Sequence, residues 1–335
     1  MALSAYLVGL LTLALIYGVM TLGLHLQFGL AGMLNFGHVA FFAVGAFTSA
    51  LLSLPPKGSE AYLAAGGQYQ LGVGLPVPLA FVAAGVAAGL LALLIGATSV
   101  RLSSHYLAVA TFAMAEIVRS VLTNEDWLTR GQFGIYNVPQ PGRGGPIPID
   151  LYPYAYLLLT VVVVGILLAV TVRLTASPFG RALRAVRDDE VAALALGKPA
   201  AGLKLRAFAL GGALAGLAGA LWTHSLGIVH VGQFVPIITF QVWLALLLGG
   251  RGNPVGAVLG AIVLMAITEA TRFLGNVPFF EPLTRLNPSF VPSLRFVIIG
   301  LMLIAVVRYF PRGIMPERLR PPPPGKLTSP EQDAA

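Results

Sequence analysis

Residues 177–199 read SPFGRALRAVRDDEVAALALGKP. The stretch puts Arg181, Arg184, Arg187, Asp188, Asp189 and Glu190 within ten residues, in a chain of which only 10% is charged. Ser177 is a good N-cap, and Pro178 suits the first helical position, where its missing N–H would be unpaired in any case. Gly197 followed by Pro199 is a stop signal. Between these signals Phe179, Leu183, Val186, Ala193 and Leu194 recur at three- and four-residue steps, which predicts a helix with one apolar face. Such a helix is too charged to cross a bilayer and too short to be a domain. It reads as a membrane-surface helix that offers a face to a partner.

The surroundings of this helix set the class. The 335 residues are 57% hydrophobic, with a mean hydropathy of +0.84, whereas a soluble domain carries about 25% charged residues. The expectation is an all-α, polytopic helical transmembrane protein. The net charge of +8 reflects Lys and Arg gathered on cytoplasmic loops and does not imply nucleic acid. The absence of cysteine excludes disulfides and thiolate chemistry within the chain. Residues 4–24 lack a basic leader region and read as a retained span rather than a removable signal.

Further apolar spans are read at Leu26–Leu54, Leu79–Val100, His105–Thr123, Leu151–Val172, Ala207–Trp222, Val235–Gly250, residues 254–272 and Leu294–Val307. That is about 8–9 membrane segments, some of them Gly-broken or re-entrant. One domain is expected over residues 1–315, with a basic loop at 173–206 and a disordered tail at 316–335. The loop and the tail are the two basic clusters and are expected in the cytoplasm. The near-neutral loops at 55–75, 124–150 and 273–293 are then external, as is the N-terminus.

The motifs point away from catalysis. Neither Gly-Lys pair, at 197–198 or 325–326, is followed by Ser or Thr, so no Walker A loop is present. No reactive constellation of Ser, His and Asp, and no His-rich metal spacing, is found. The five histidines are scattered and read as structural. Two acid–base pairs, Glu116 with Arg119 and Glu269 with Arg272, lie in or near spans. Such pairs can be self-neutralising, can tie helices together, or can couple an ion.

The charged helix contains Glu190-Val-Ala192-Ala193 with Gly197 four residues later. It resembles the short cytoplasmic "EAA" loop of ABC-importer permeases. In that resemblance Ala192 and Ala193 permit close approach to an ATPase, and the flanking charges fix register. The likeness extends to Leu30-Ala-Gly-Met-Leu-Asn-Phe-Gly-His38, Phe112-Ala-Met-Ala-Glu116-Ile-Val-Arg119, Ser177–Arg184, Lys204–Phe208, Leu248–Gly252 and Arg308–Met315. These motifs resemble, in order, those of permeases for branched-chain amino acids, of the M-type among the two paired permease subunits. One departure is Arg130, which stands where family members often carry the first Gly of a Thr-Gly-Gly run.

The resemblance implies one permease subunit of a multi-pass importer in a bacterial or archaeal plasma (inner) membrane. Its implied partners are a second, related permease chain, two ATPase subunits, an external solute-binding protein and the bilayer. It implies no cofactor in this chain, with ATP and Mg on the ATPases. Relatives of this family also move urea, short amides and other amino acids, so the exact cargo stays open. The candidate pathway residues are Asn35, Phe36, Gly37, His38, Gly249, Gly250 and Gly252, where broken helices free backbone groups for a zwitterionic solute. Packing is the other reading of these glycines. The alternative function is a secondary transporter driven by an ion gradient.

Overall fold

The computed structural model describes residues 2–64, 69, 71–143, 148–270, 290–310 and 313–317. Helix α1 (Ala2–Leu24) runs straight into one π-helical turn, His25–Leu30. After a break come α2 (His38–Ser53), the short α3 (Glu60–Ala64), α4 (Val77–Ser99), α5 (Ser104–Asn124) and the one-turn α6 (Asp126–Thr129). Then follow α7 (Tyr152–Ala176), α8 (Pro178–Asp188), α9 (Glu190–Ala195), α10 (Ala200–Leu226), α11 (Pro236–Gly249), α12 (Pro254–Ala270) and α13 (Phe290–Tyr309). A two-residue antiparallel ribbon pairs β1 (Ile135–Tyr136) with β2 (Ile228–Val229). Six of the described helical stretches are long and apolar enough to cross a membrane: Ser4–Leu30, Val77–Ser99, Ser104–Asn124, Tyr152–Ala176, Ala200–Leu226 and Val231–Gly249. α2 and α12 are shorter apolar helices. The chain is an all-α polytopic membrane protein.

α10 sits at the centre, packed against α2, α4 and α1. Small residues allow this closeness where no water drives helices together. A Cβ on Gly216 would fall on Ala88 Cβ of α4 and lie 2.7 Å from the Ala84 carbonyl oxygen. α2 runs parallel to α10, with Gly45 against Gly216 and Ser49 Oγ 2.8 Å from His224 Nε2. α4 runs antiparallel to it, with Gly85 beside Leu217 and Gly96 beside Phe208. α1 packs against α7 and α12, and α11 against α12. One end of the bundle therefore gathers α8, α9, the α11–α12 turn and residues 313–317. The β ribbon lies at the other end, where the Gln140 side chain donates to Ser225 O at 2.8 Å.

Several boundaries differ from those expected from sequence. The first span does not stop at residue 24: the π turn carries it to Leu30, and the break falls at residues 31–37. The helix expected over 177–199 is two helices. Asp189 is extended (φ −153°, ψ 105°), and its carboxylate caps α9 by accepting from Ala192 N–H. Asp fits an N-cap better than a helix interior, because its short side chain competes for backbone donors. The last span begins at Phe290 rather than Leu294. The loop at 273–293 falls largely, and Arg272 wholly, outside the described residues.

Gly216→Val is expected to lower the thermal midpoint in detergent, at a cost of about 1–3 kcal/mol from overpacking. Gly165→Ala, in α7 with nothing near its added Cβ, is expected to raise the midpoint through a gain of up to about 1 kcal/mol in stability.

Candidate functional site

The end of the bundle carrying α8 is tied together by ionic and backbone contacts. Ser177 caps α8, accepting from Gly180 N–H, with Pro178 next to it. α8 buries Leu183 and Val186 and half-buries Phe179 against the bundle. Its arginines reach inward as well. Arg187 Nη1 donates to Gly29 O in the π turn at 2.6 Å and lies 3.1 Å from Glu317 Oε2. Arg184 Nη2 donates to Thr175 O of α7 at 3.3 Å, and its Nη1 is 3.6 Å from Glu317 Oε1. Arg181 Nη1 donates to Ala176 O at 3.0 Å. Asp188 pairs with Arg187 at 3.0 Å from an exposed position.

Glu317 belongs to a segment that locks onto the α11–α12 turn. Ile314 N–H donates to Leu248 O at 2.8 Å and Met315 N–H to Gly249 O at 2.9 Å. The sequence starts a disordered tail at 316, yet Glu317 is held by two arginines; residues 318–335 lie outside the described residues. Sequence reading missed Glu317 because its partners are more than 100 positions away, and nothing local marks it.

α9 faces the other way. Val191, Leu194 and Leu196 are 78%, 53% and 79% exposed, so Leu194 is not on the inner face where its spacing put it. Ala192 is exposed beside them, whereas Ala193 is buried against the bundle. Lys204 Nζ ties Glu190 to α10 at 2.6 Å. Gly197 takes φ +74°, and its N–H and that of Lys198 close the helix by donating to Leu194 O and Ala193 O. A charged end thus presents a small apolar face framed by Glu190 and Lys198.

The expected pathway residues behave differently. Asn35 and His38 are buried, and both serve the break at 31–37. Asn35 Nδ2 donates to Gln27 Oε1 at 2.7 Å, its Oδ1 accepts from Gly37 N–H at 2.8 Å, and its carbonyl accepts from Trp243 Nε1 at 2.9 Å. His38 Nε2 donates to Met20 O at 3.0 Å, which leaves Nδ1 as the acceptor facing Asn35. Phe36 stacks on Trp243 at 5.2 Å. Gly37 abuts the Thr111 carbonyl of α5, and Gly249 abuts Gly256 across the α11–α12 turn. Gly250 (φ +111°) lies against Gly313, and Gly252 lies against Glu317. Gly37, Gly249 and Gly250 thus pack backbone against backbone, and Gly252 packs against a side chain.

Glu116 and Arg119 form a close pair, with Oε2 accepting from Nε at 2.9 Å and from Nη2 at 2.8 Å. Both are substantially exposed. Glu269 is buried on α12, and Arg272 lies outside the described residues. Among the described residues no group of three His, Cys, Asp or Glu could hold a metal. Arg130 adopts φ +59°, a left-handed conformation that glycine takes at no steric cost.

The family model for the branched-chain amino acid transport system permease component matches residues 6–307. The chain belongs to this family. It is 33% identical over 287 residues to the high-affinity branched-chain amino acid transport system permease protein LivM of Escherichia coli K12, covering 79% of this chain and 63% of that protein. The Salmonella typhimurium LivM permease protein is 32% identical over the same shares. A probable LivM permease protein of Methanocaldococcus jannaschii is 26% identical over 93% of both chains. The chain thus spans somewhat under two thirds of the length of the two enterobacterial relatives. No solved structure matches it.

Arg187→Met removes the donor to Gly29 O and one partner of Glu317. It is expected to cost about 1–3 kcal/mol, the penalty for a buried carbonyl left unpaired, read as a lowered thermal midpoint. Faster amide exchange at Ile314 and Met315 should accompany it. Asp188→Ala, at the exposed edge of the same helix, should shift stability by less than about 0.5 kcal/mol.

Proposed function

We propose that the chain is a transmembrane permease subunit of an ATP-binding cassette importer for branched-chain or related amino acids. It works with a second, related permease, two ATPase subunits and an external solute-binding protein, in a bacterial or archaeal plasma membrane. Membership of the permease family supports this reading, and the uncovered apolar face of α9 carries it. Val191, Leu194 and Leu196 stand exposed on one of the two basic clusters of the chain. Lys and Arg collect on cytoplasmic surfaces, so α8, α9 and residues 313–317 are assigned to the cytoplasm. The loops at the opposite end are external.

In this reading α9 sits in a cleft of an ATPase and α8 passes its movement inward. The chain lacks a phosphate loop of its own, so ATP and Mg bind on the partner. ATP-driven closure of the ATPase pair would press on α9. The ties of Arg184 and Arg187 would carry that displacement to the π turn of α1, the end of α7 and the α11–α12 turn. A rigid-body shift of those helices would then alternate access. An ion-gradient transporter is not favoured, since the family is that of a transport-system permease component.

Leu196→Asp places a charge in the apolar contact without touching the bundle. The ATPases are expected to be lost on co-purification, and ATP-driven uptake of L-leucine by the reconstituted complex should fall at least about tenfold, the effect of losing one well-placed anchor. Normal co-purification and uptake would remove α9 from the interface. Uptake by this chain alone on a proton gradient would sink the importer reading.

A further inference from the structure

The Glu116–Arg119 pair is a problem for a membrane helix. Glu116 lies about 18 Å and Arg119 about 22 Å along α5, a helix of about 31 Å at 1.5 Å per residue. A hydrocarbon layer of about 30 Å crossed by this helix would enclose both. The rest of the chain leaves both partly open: the side chains are 33% and 44% exposed. α5 buries Leu107, Ala108, Thr111, Ala115 and Leu122 against the bundle, and the charges stand on another face. Charged groups at this depth avoid lipid and face a protein interior or a water-filled cavity.

The same face has a graded chemistry. Phe112, Glu116, Arg119 and Thr123 recur at four, three and four residues and so share one side of α5. Above Arg119, Ser120 and Thr123 continue the polar surface toward the end of the bundle away from α8. Below Glu116, Phe112 is 39% exposed. The pair engages Oε2 of Glu116 with Nε and Nη2 of Arg119; Oε1 and Nη1 remain outside it. An acid and a guanidinium side by side, with an aromatic ring one turn below, match an α-ammonium, an α-carboxylate and an aliphatic side chain.

We propose that this face of α5 lines the aqueous solute pathway of the assembled transporter. Glu116 receives the ammonium and Arg119 the carboxylate of a zwitterionic amino acid, whose side chain lies on Phe112. The proposal rests on the permease reading above and moves the pathway from the helix breaks, where the Asn35 and His38 side chains are already hydrogen-bonded, to α5.

The chain has no cysteine of its own, which allows a direct test. In the full complex, with partner cysteines replaced, Ser120→Cys is treated with a membrane-impermeant cationic methanethiosulfonate. Labelling, and its slowing by L-leucine with the binding protein, is expected. Glu116→Gln and Arg119→Met should each lower leucine uptake at least about tenfold, the scale of a lost hydrogen bond to a charged group, while the ATPases still co-purify. No labelling of Ser120→Cys would mean that the face is buried against the second permease and would overturn the proposal. So would uptake by Glu116→Gln within about twofold of wild type. If the charge variants fail to assemble, the labelling and its leucine protection decide. A wild-type complex that moves no amino acid overturns the functional reading above and the amino-acid site with it, whereas labelling would still establish the water-lined face.

Discussion

A broken helix inside a bilayer leaves backbone groups that hydrocarbon cannot solvate, and this constraint organises the protein. The break at 31–37 frees several such groups, and some are met from other elements. Thr111 of α5 accepts the Phe36 amide, Thr239 of α11 accepts that of Val39, and Trp243 donates to Asn35 O. Gln27 joins the break to α10 by donating to Phe208 O at 2.9 Å. The break is thereby the place where α1, α2, α5, α10 and α11 are fixed relative to one another. Residues that look like a solute site in sequence are occupied in holding the fold.

The second constraint is closeness. Helices in lipid gain little from excluding water, so they gain from contact, and contact needs small residues. α10 supplies them toward both α2 and α4, and the α11–α12 turn uses Gly249, Gly256 and Gly260 in the same way. Bodies packed this tightly move as units. Motion then concentrates in the connections, and the connections at the α8 end are polar.

What the sequence made legible follows from what is local. The cap at Ser177, the proline after it and the stop at Gly197 are signals read within four residues, and all three stand in the structure. Hydrophobic runs located the membrane helices. The division at Asp189 was hidden because Asp is compatible with a solvated helix face; its role as a cap shows only once the extended backbone is seen. Leu194 left the face its spacing put it on for the same reason, since the new cap resets the helical phase, whereas Ala193 stays buried. Glu317 and the Trp243 bond to Asn35 O were illegible because the partners lie far along the chain. The Glu116–Arg119 spacing was plain, but its exposure required the whole bundle.

The division of the basic helix into α8 and α9 matters for the proposed coupling. A single long helix docked on a partner would tilt as a rod. Here the two pieces have different attachments. α9 holds to the bundle through Ala193 and the Glu190–Lys204 pair and leaves its apolar side chains outward. α8 holds through Arg184 and Arg187 to the π turn, α7 and the C-terminal segment. Glu317 faces both arginines, so α8 cannot shift without either moving the segment that pairs with Leu248 and Gly249 or separating two ion pairs. Partial burial makes the second course the costlier one, because a charge left behind without its partner keeps the desolvation penalty and loses the attraction. In the proposed coupling, a push received on α9 would therefore be passed on to the α11–α12 turn rather than absorbed at the surface.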